Sequence, residues 1–479
     1  MSYQQKLNKL GLEVPFILLP KSAQTSPSEL VKWPVIACDQ FTQDRDYWER
    51  AKAAVAGSPS TLNLIFPEIY LCDDDVDKRI ADIHSTMRRY LQENVFAKAR
   101  QGFIYIERDT PYQKKRRGLI AAVDLEQYDW RPESRPLIRC TEGAVPERLP
   151  PRMDIRRGAP LELPHVILLI DDEDNDLLPA IGESVKNKTP GYSTPLMMDS
   201  GSVTGWFLDI ENGGKALSLI TEKFDKLYNR STGRYGGEGK PFLFAVGDGN
   251  HSIAAAKGIW EEYKAAGGCQ SSSGCKAAWQ PLVSSGYQDA KDGLPVHPCR
   301  YALVEIENIY DPAIQFEPIN RLVFDVGFDE MVKILSSLPD FSCRSINSAQ
   351  ELSKLCAKQP QAPSANHFGV ISQNRYALIE TSAAGIATAC LQPLLDKYAG
   401  ASPQLIDYIH DEEELFRLSN GEGGQTDVNR KRAGILLPPF QKSVLFETVA
   451  RLGPLPRKSF SMGHSVEKRF YFECREIIR

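Results

Sequence analysis

Short apolar runs alternate along this chain with stretches whose apolar residues recur every three to four positions. The runs predict strands at residues 34–37, 102–106, 119–123, 165–170, 241–246, 301–306 and 375–380. The helical spacing predicts helices at 75–93, 214–228, 252–266, 328–337 and 443–452. Gly, Pro, Ser and Asn cluster at 229–241, 267–274, 359–366 and 420–427, which reads as loop. Strands and helices mixed in this way predict a mixed α/β (α+β) fold. Phe328 opens a new helix–loop–hairpin stretch. The expected division is therefore an N-terminal α/β region, 1–327, and a smaller C-terminal α+β region, 328–479, both serving one site.

Composition narrows the classes. The chain has 479 residues, 42% apolar and 25% charged, ordinary values for a globular protein. Its 57 basic and 62 acidic residues leave a net charge of −5, which argues against a non-specific nucleic-acid or membrane-surface binder. The apolar run at 14–19 is too short for a signal segment, and no stretch approaches the ~18 apolar residues of a membrane span. A cytoplasmic location is expected. The ten cysteines are scattered. Cys269 and Cys275 form the closest pair, in a Gly/Ser loop, and no CxxC occurs, so neither a zinc site nor a disulfide framework is expected.

The chemistry concentrates at one junction. The apolar run Pro-Phe-Leu-Phe-Ala-Val ends at Val246, Gly247-Asp248-Gly249-Asn250-His251-Ser252 follows, and a strong helical pattern begins. Two glycines let the backbone turn tightly and bring a ligand close to the main chain. The unpaired N–H groups and positive dipole end of a new helix favour an anion. A carboxylate, an amide, an imidazole and a hydroxyl within one turn add acid–base capacity. The plain alternative is a helix cap, which explains one polar residue and not four. The motif lacks the Lys-Ser/Thr end of a phosphate loop and no acidic strand end follows at the dinucleotide distance, so NAD is not expected.

Several segments, in order, carry a family likeness. They include Ile36-Ala37-Cys38-Asp39-Gln40-Phe41, Phe66-Pro67-Glu68-Ile69-Tyr70-Leu71, Ile138-Arg139-Cys140-Thr141-Glu142-Gly143 and Leu163-Pro164-His165. The junction, Phe316-Glu317-Pro318-Ile319-Asn320-Arg321 and Leu455-Pro456-Arg457-Lys458-Ser459-Phe460-Ser461 continue them. On these the chain resembles the uncharacterised prokaryotic family "domain of unknown function 1015". More distantly, the junction is similar to one in the partition-protein/sulfiredoxin-like superfamily, which includes free serine kinases. The likeness implies a partition-protein/sulfiredoxin-like core with elaborations, in which a strand–turn–helix element holds nucleotide phosphates. Many family members carry Asp-Gly-His-His-Arg there. This chain keeps Asp248, Gly249 and His251, but has Asn250 for the first His and Ser252 for the Arg. A hydroxyl cannot replace a guanidinium's bidentate hold on phosphate, so another cation is needed.

Candidate residues follow. Arg139 and Glu142 lie in a matching stretch within the charged segment 131–157, whose other residues read mostly as ion pairs. Asp39 follows a predicted strand, where open α/β sheets bind ligands. Arg321 follows a Pro-containing turn, and Lys458 sits in a basic loop. His165 reads as a structural histidine, and Glu68 as a loop residue. The likeness and the junction together imply a phosphoryl-transfer enzyme acting on a small metabolite, serine or phosphoserine, with ATP or ADP and Mg²⁺. Asp248, His251, Glu142 and Asp39 are the expected catalytic residues, with Asp248 the candidate metal ligand. Gly247, Gly249, Asn250, Ser252, Arg139, Arg321 and Lys458 are the expected phosphate binders. The alternatives are a phosphatase or other hydrolase of a small phosphorylated metabolite, or a nucleotide-sensing module without chemistry. No nucleic-acid or membrane partner is expected.

Overall fold

The computed structural model describes residues 3–113, 115–143, 145–210, 214–236, 240–266, 297–358, 365–383, 385–421 and 430–477. The loop at 267–274, with Cys269 and Cys275, lies outside them, as does most of 420–427 and of 359–366. Each predicted strand and helix has a counterpart, most displaced by a few residues at their ends; the helix expected at 214–228 runs on to Tyr235, into the expected loop 229–241.

The chain divides into two compact units, Met1–Ile314 with His464–Arg479, and Gln315–Gly463. The boundary differs from the expected 327/328 in two ways. The second unit begins earlier, because Phe316–Pro318 pairs antiparallel with Phe460–Met462. The chain's last segment belongs to the first unit, where Phe470–Tyr471 pairs with Val35–Ile36 and Arg475–Glu476 with Leu161–Glu162.

In the first unit the principal sheet contains β1 (Arg100–Asp109), β2 (Arg116–Asp124), β3 (Tyr128–Asp129), β4 (Ile138–Cys140), β5 (Ile167–Ile170), β6 (Tyr192–Pro195), β7 (Ser202–Asp209), β8 (Phe244–Asp248) and β9 (Tyr301–Asn308). Their order is β6-β7-β1-β2-β9-β5-β8-β4-β3. Pairing is mixed: β8 runs parallel to β4 and antiparallel to β5, and β5 is parallel to β9. The two-residue period of a strand sends alternate side chains to opposite faces. Thus Leu119, Ala121 and Val123 join a core with the helices Leu177–Val185, Lys215–Tyr235 and Asn250–Ala265. Ile104, Ile106 and Ile120 join a second core with Trp33, Trp48, Met87 and Phe472. Both faces are covered, which explains why the strands read as continuous apolar runs.

The second unit has its own six-stranded sheet. Its strands are β10 (Asn320–Phe324), β11 (Ser342–Ile346), β12 (Asn366–Ser372), β13 (Arg375–Thr381), β14 (Ile406–Ile409) and β15 (Arg432–Leu436), in the order β11-β13-β12-β15-β10-β14. Alternation again splits the core: Val370 and Ile435 face one cluster, Ile371 and Leu436 the other. Among the described residues no helix is long and apolar enough to cross a membrane.

Candidate functional site

The strand β8 and the helix Asn250–Ala265 meet at the motif singled out in the sequence. The turn begins where the register of β8 against β5 slips between Val246 and Asp248, a bulge centred on Gly247. Gly249 is the helix N-cap, with φ +79°. A Cβ there would lie 3.0 Å from Val166 Cα and 3.2 Å from His165 Cδ2, so the turn requires glycine both for its angle and for space. Because a glycine occupies the cap, no polar side chain caps this helix. Asp248 Oδ1 accepts the Gly249 N–H at 2.9 Å, and Asp248 Oδ2 lies 3.3 Å from Lys468 Nζ. His251 Nε2 accepts the Val145 N–H at 3.4 Å. The Asn250 side-chain oxygen is buried and accepts no hydrogen bond within the protein.

Strand β4 runs parallel beside β8, with Cys140 opposite Val246, and Thr141 Oγ1 donates to the Val246 carbonyl at 2.6 Å. Glu142 follows two residues after Cys140, just past the end of β4. The carboxyl ends of two parallel strands, one of which starts the helix, thus form the junction. Ligands of open α/β sheets bind in this position.

Beside it lies a cluster that joins Asp39, an expected catalytic residue, to His165, which the sequence reading took for structural. His165 Nε2 is 3.2 Å from Asp39 Oδ2, and its Nδ1 is 2.7 Å from the Tyr471 hydroxyl and 3.7 Å from Cys38 Sγ. The Tyr471 hydroxyl also donates to Cys38 Sγ at 3.2 Å. Burial alone would raise the Asp39 carboxyl, but the charge and hydrogen bond of His165, with Gln40 and Lys468, outweigh it and hold Asp39 below the carboxylate range. Burial would lower His165, yet Asp39 and Cys38 hold the imidazole well above its ordinary value. A cavity of about 150 Å³ opens onto this group, and Ser252, Glu68 and Arg152 also line it.

The remaining expected residues are placed as follows. Arg139 is buried in β4, and its guanidinium donates to the Pro136 and Lys240 carbonyls at 3.1 and 3.0 Å and lies over the Phe242 ring. Arg321 is buried in the second unit, where it donates to Gln392 at 2.8 Å, to the Ile319 carbonyl and to the Lys458 carbonyl at 3.1 Å. Lys458 therefore enters through its carbonyl, in a turn where its own φ is +58°. Four other arginines of the charged segment are ion-paired: Arg131 with Asp129, Arg152 with Glu68, Arg156 with Glu162 and Arg157 with Glu262. The cation brought to Asp248 is Lys468, which was not among the expected residues. Its only sequence signal was the Lys468-Arg469 pair ahead of an apolar strand. His165, Cys38 and Tyr471 were also missed, although Cys38 and His165 fall in family-matching segments. Among the described residues no three His, Cys, Asp or Glu side chains converge as a metal cage.

A family model described as "Protein of unknown function (DUF1015)" matches residues 18–398. No curated protein matches the chain. Among solved structures, a conserved hypothetical protein from Pyrococcus furiosus is similar, with 11% identity, coverage of 74% of this chain and 90% of that one, and a TM-score of 0.31. A free serine kinase in complex with AMP shows 10% identity, 75% and 91% coverage, and a TM-score of 0.33. SbnI with C-terminal truncation, from Staphylococcus aureus, shows 10% identity, 71% and 81% coverage, and a TM-score of 0.32.

Proposed function

Because the chain belongs to the family of proteins of unknown function designated DUF1015, its activity is read from its own junction, and we propose that it is a cytoplasmic phosphoryl-transfer enzyme acting on a small hydroxyl-bearing metabolite such as serine. One observation carries this reading: Asp248 and Lys468, 3.3 Å apart, stand where the helix Asn250–Ala265 begins, at the carboxyl ends of parallel β4 and β8. A cation, a carboxylate and the unpaired N–H groups of a helix's first turn at one strand end are parts that phosphate positioning requires.

The roles divide by chemistry. Lys468 and the first-turn N–H groups of Asn250 and Ser252 take the phosphate oxygens, while Gly247 and Gly249 let the main chain approach them. Arg139 and Arg321 are engaged with carbonyl oxygens, so Lys468 supplies the charge that the missing motif arginine would give. Glu142 takes the proton of the substrate hydroxyl. Asp248 orients that hydroxyl or holds Mg²⁺. A Mg²⁺ bound by one or two carboxylates, with phosphates and water as the other ligands, fits this donor set, because such a site needs no protein cage. ATP or ADP with Mg²⁺ would supply the transferable phosphoryl group. His251, held by the Val145 N–H, faces the transfer as a proton carrier. Asp39 orients His165 beside this site.

The test is incubation with ATP or ADP, Mg²⁺ and serine, with product detected by phosphorus NMR or mass spectrometry. Phosphoserine is expected, and Asp248→Asn and His251→Ala should abolish it. Phosphate released from phosphoserine without nucleotide would identify a phosphatase instead. Nucleotide-induced thermal stabilisation that survives His251→Ala, with no product, would identify a sensing module. Absence of both binding and turnover overturns the reading.

A further inference from the structure

The Cys38–His165–Asp39 cluster has the geometry of an activated nucleophile. A thiol lies 3.7 Å from one ring nitrogen of an imidazole, and a carboxylate lies 3.2 Å from the other. This is the order in which a base connects a nucleophile to the group that orients it. Tyr471 completes a consistent set of hydrogen bonds. Its oxygen accepts the Cys38 N–H at 3.3 Å, lies 2.7 Å from His165 Nδ1, and its one proton points to Cys38 Sγ. With a proton on Nδ1, every one of these contacts has one donor and one acceptor, and the proton-poor partner is the sulfur. Burial, then the neighbouring Cys38 and Asp39, push the Tyr471 phenol up, so it keeps its proton for that bond. The Asp39 carboxylate on the other ring nitrogen favours the charged imidazole, which sets a proton donor beside the sulfur.

The surroundings select a ligand. Cys38 is half-exposed on the cavity, whose wall includes Leu64, Phe66, Met87 and Leu163. The other charged side chains on the wall pair among themselves, Arg152 with Glu68 and Arg156 with Glu162. Lys468 acts on Asp39 through its charge and is paired with Asp248. An apolar wall beside a nucleophile suits a short acyl chain.

We propose that Cys38 is a catalytic nucleophile, oriented and activated by His165, Asp39 and Tyr471, that accepts a short apolar acyl group from an ester or thioester. Sγ bonds to the carbonyl carbon as the bond to the leaving oxygen or sulfur breaks. The proton of the His165 imidazolium leaves with that atom, and the acyl group remains on Cys38 as a thioester. Water, with its proton taken by the now neutral His165, then releases the acid and restores the starting pair. No oxidant or cofactor enters.

The test uses the full chain and two reagents. Iodoacetamide at pH 6 should alkylate Cys38 at least about tenfold faster than the exposed Cys72 and Cys343, followed by peptide mass spectrometry. His165→Asn, Asp39→Asn and Tyr471→Phe should each reduce that advantage, and circular dichroism separates a folded variant from an unfolded one. p-Nitrophenyl butyrate should give a burst of one equivalent of nitrophenol and a butyryl adduct on Cys38, absent in Cys38→Ser. Alkylation of Cys38 no faster than of Cys72, or unaltered in folded Tyr471→Phe and Asp39→Asn, overturns the proposal. A burst that persists in Cys38→Ser overturns it equally.

Discussion

Lys468 Nζ lies 3.3 Å from Asp248 Oδ2, so a residue close to the end of the chain supplies the counter-charge to the central motif. Both side chains are largely shielded, at 11% and 22% exposure, so the attraction is less screened than on an open surface. The return of His464–Arg479 to the first unit is what makes the pair possible.

Lys468→Met should therefore weaken nucleotide binding more than any substitution at Arg139 or Lys458. A hydrogen bond from a charged donor contributes ~1.5–3 kcal/mol. The expected loss is about tenfold or more in ADP affinity. Isothermal titration calorimetry checks it, and an unchanged affinity counts against the site as drawn.

Gly249→Ala should destabilise the first unit by ~1–2 kcal/mol, the cost of holding an L-residue in the left-handed region. The added Cβ also presses on Val166 and His165, at 3.0 and 3.2 Å. The second unit, Gln315–Gly463, contains no tryptophan, so fluorescence during urea unfolding reports the first unit. A midpoint equal to the wild type's would show that the turn tolerates a side chain.

The C-terminal segment is fastened by buried charge as well as by strands. Arg475 contacts Glu162 at 2.5 and 2.6 Å and donates to the Tyr301 carbonyl at 2.7 Å, and both side chains are almost fully buried. Arg475→Met leaves Glu162 with Arg156 as its guanidinium partner. Breaking a buried pair by removing one member costs ~3–5 kcal/mol. The same fluorescence measurement should show a loss toward the lower end of that range, because Arg156 still faces Glu162.

The junction was legible in the sequence because its cause is local. Two glycines, four polar residues and a change from strand to helical spacing all fall between Val246 and Ile253. What surrounds it was not local. Lys468, Tyr471 and His165 reach the site through strand order and through the pairing of Phe470–Tyr471 with Val35–Ile36, which no periodicity encodes. The arginines were misleading for a related reason. A guanidinium on a long stem serves a ligand or a nearby carbonyl equally well, and Arg139 and Arg321 turned to carbonyls within their own interiors. The division at 327/328 followed a change in local pattern, whereas the real division follows the pairing of Phe316–Pro318 with Phe460–Met462.

The Asp39–His165 pair predicts a pH window for stability. Asp39 is held below its ordinary carboxyl value, so its contribution is full above the unfolded value near 3.8 and fades as pH falls toward the folded one. His165 is held above its ordinary value, so its contribution is full below about 6.5, the unfolded value, and erodes as pH rises toward the folded one. Both are complete together only between about pH 4 and 6.5. Asp39→Asn removes the carboxylate charge from this balance. The stability difference between wild type and Asp39→Asn, from urea unfolding at a series of pH values, should be greatest inside that window and shrink on either side. A difference that grows steadily from pH 6.5 to 9 would mean that the imidazole is neutral in the folded protein, and that the pair is a hydrogen bond rather than an ion pair.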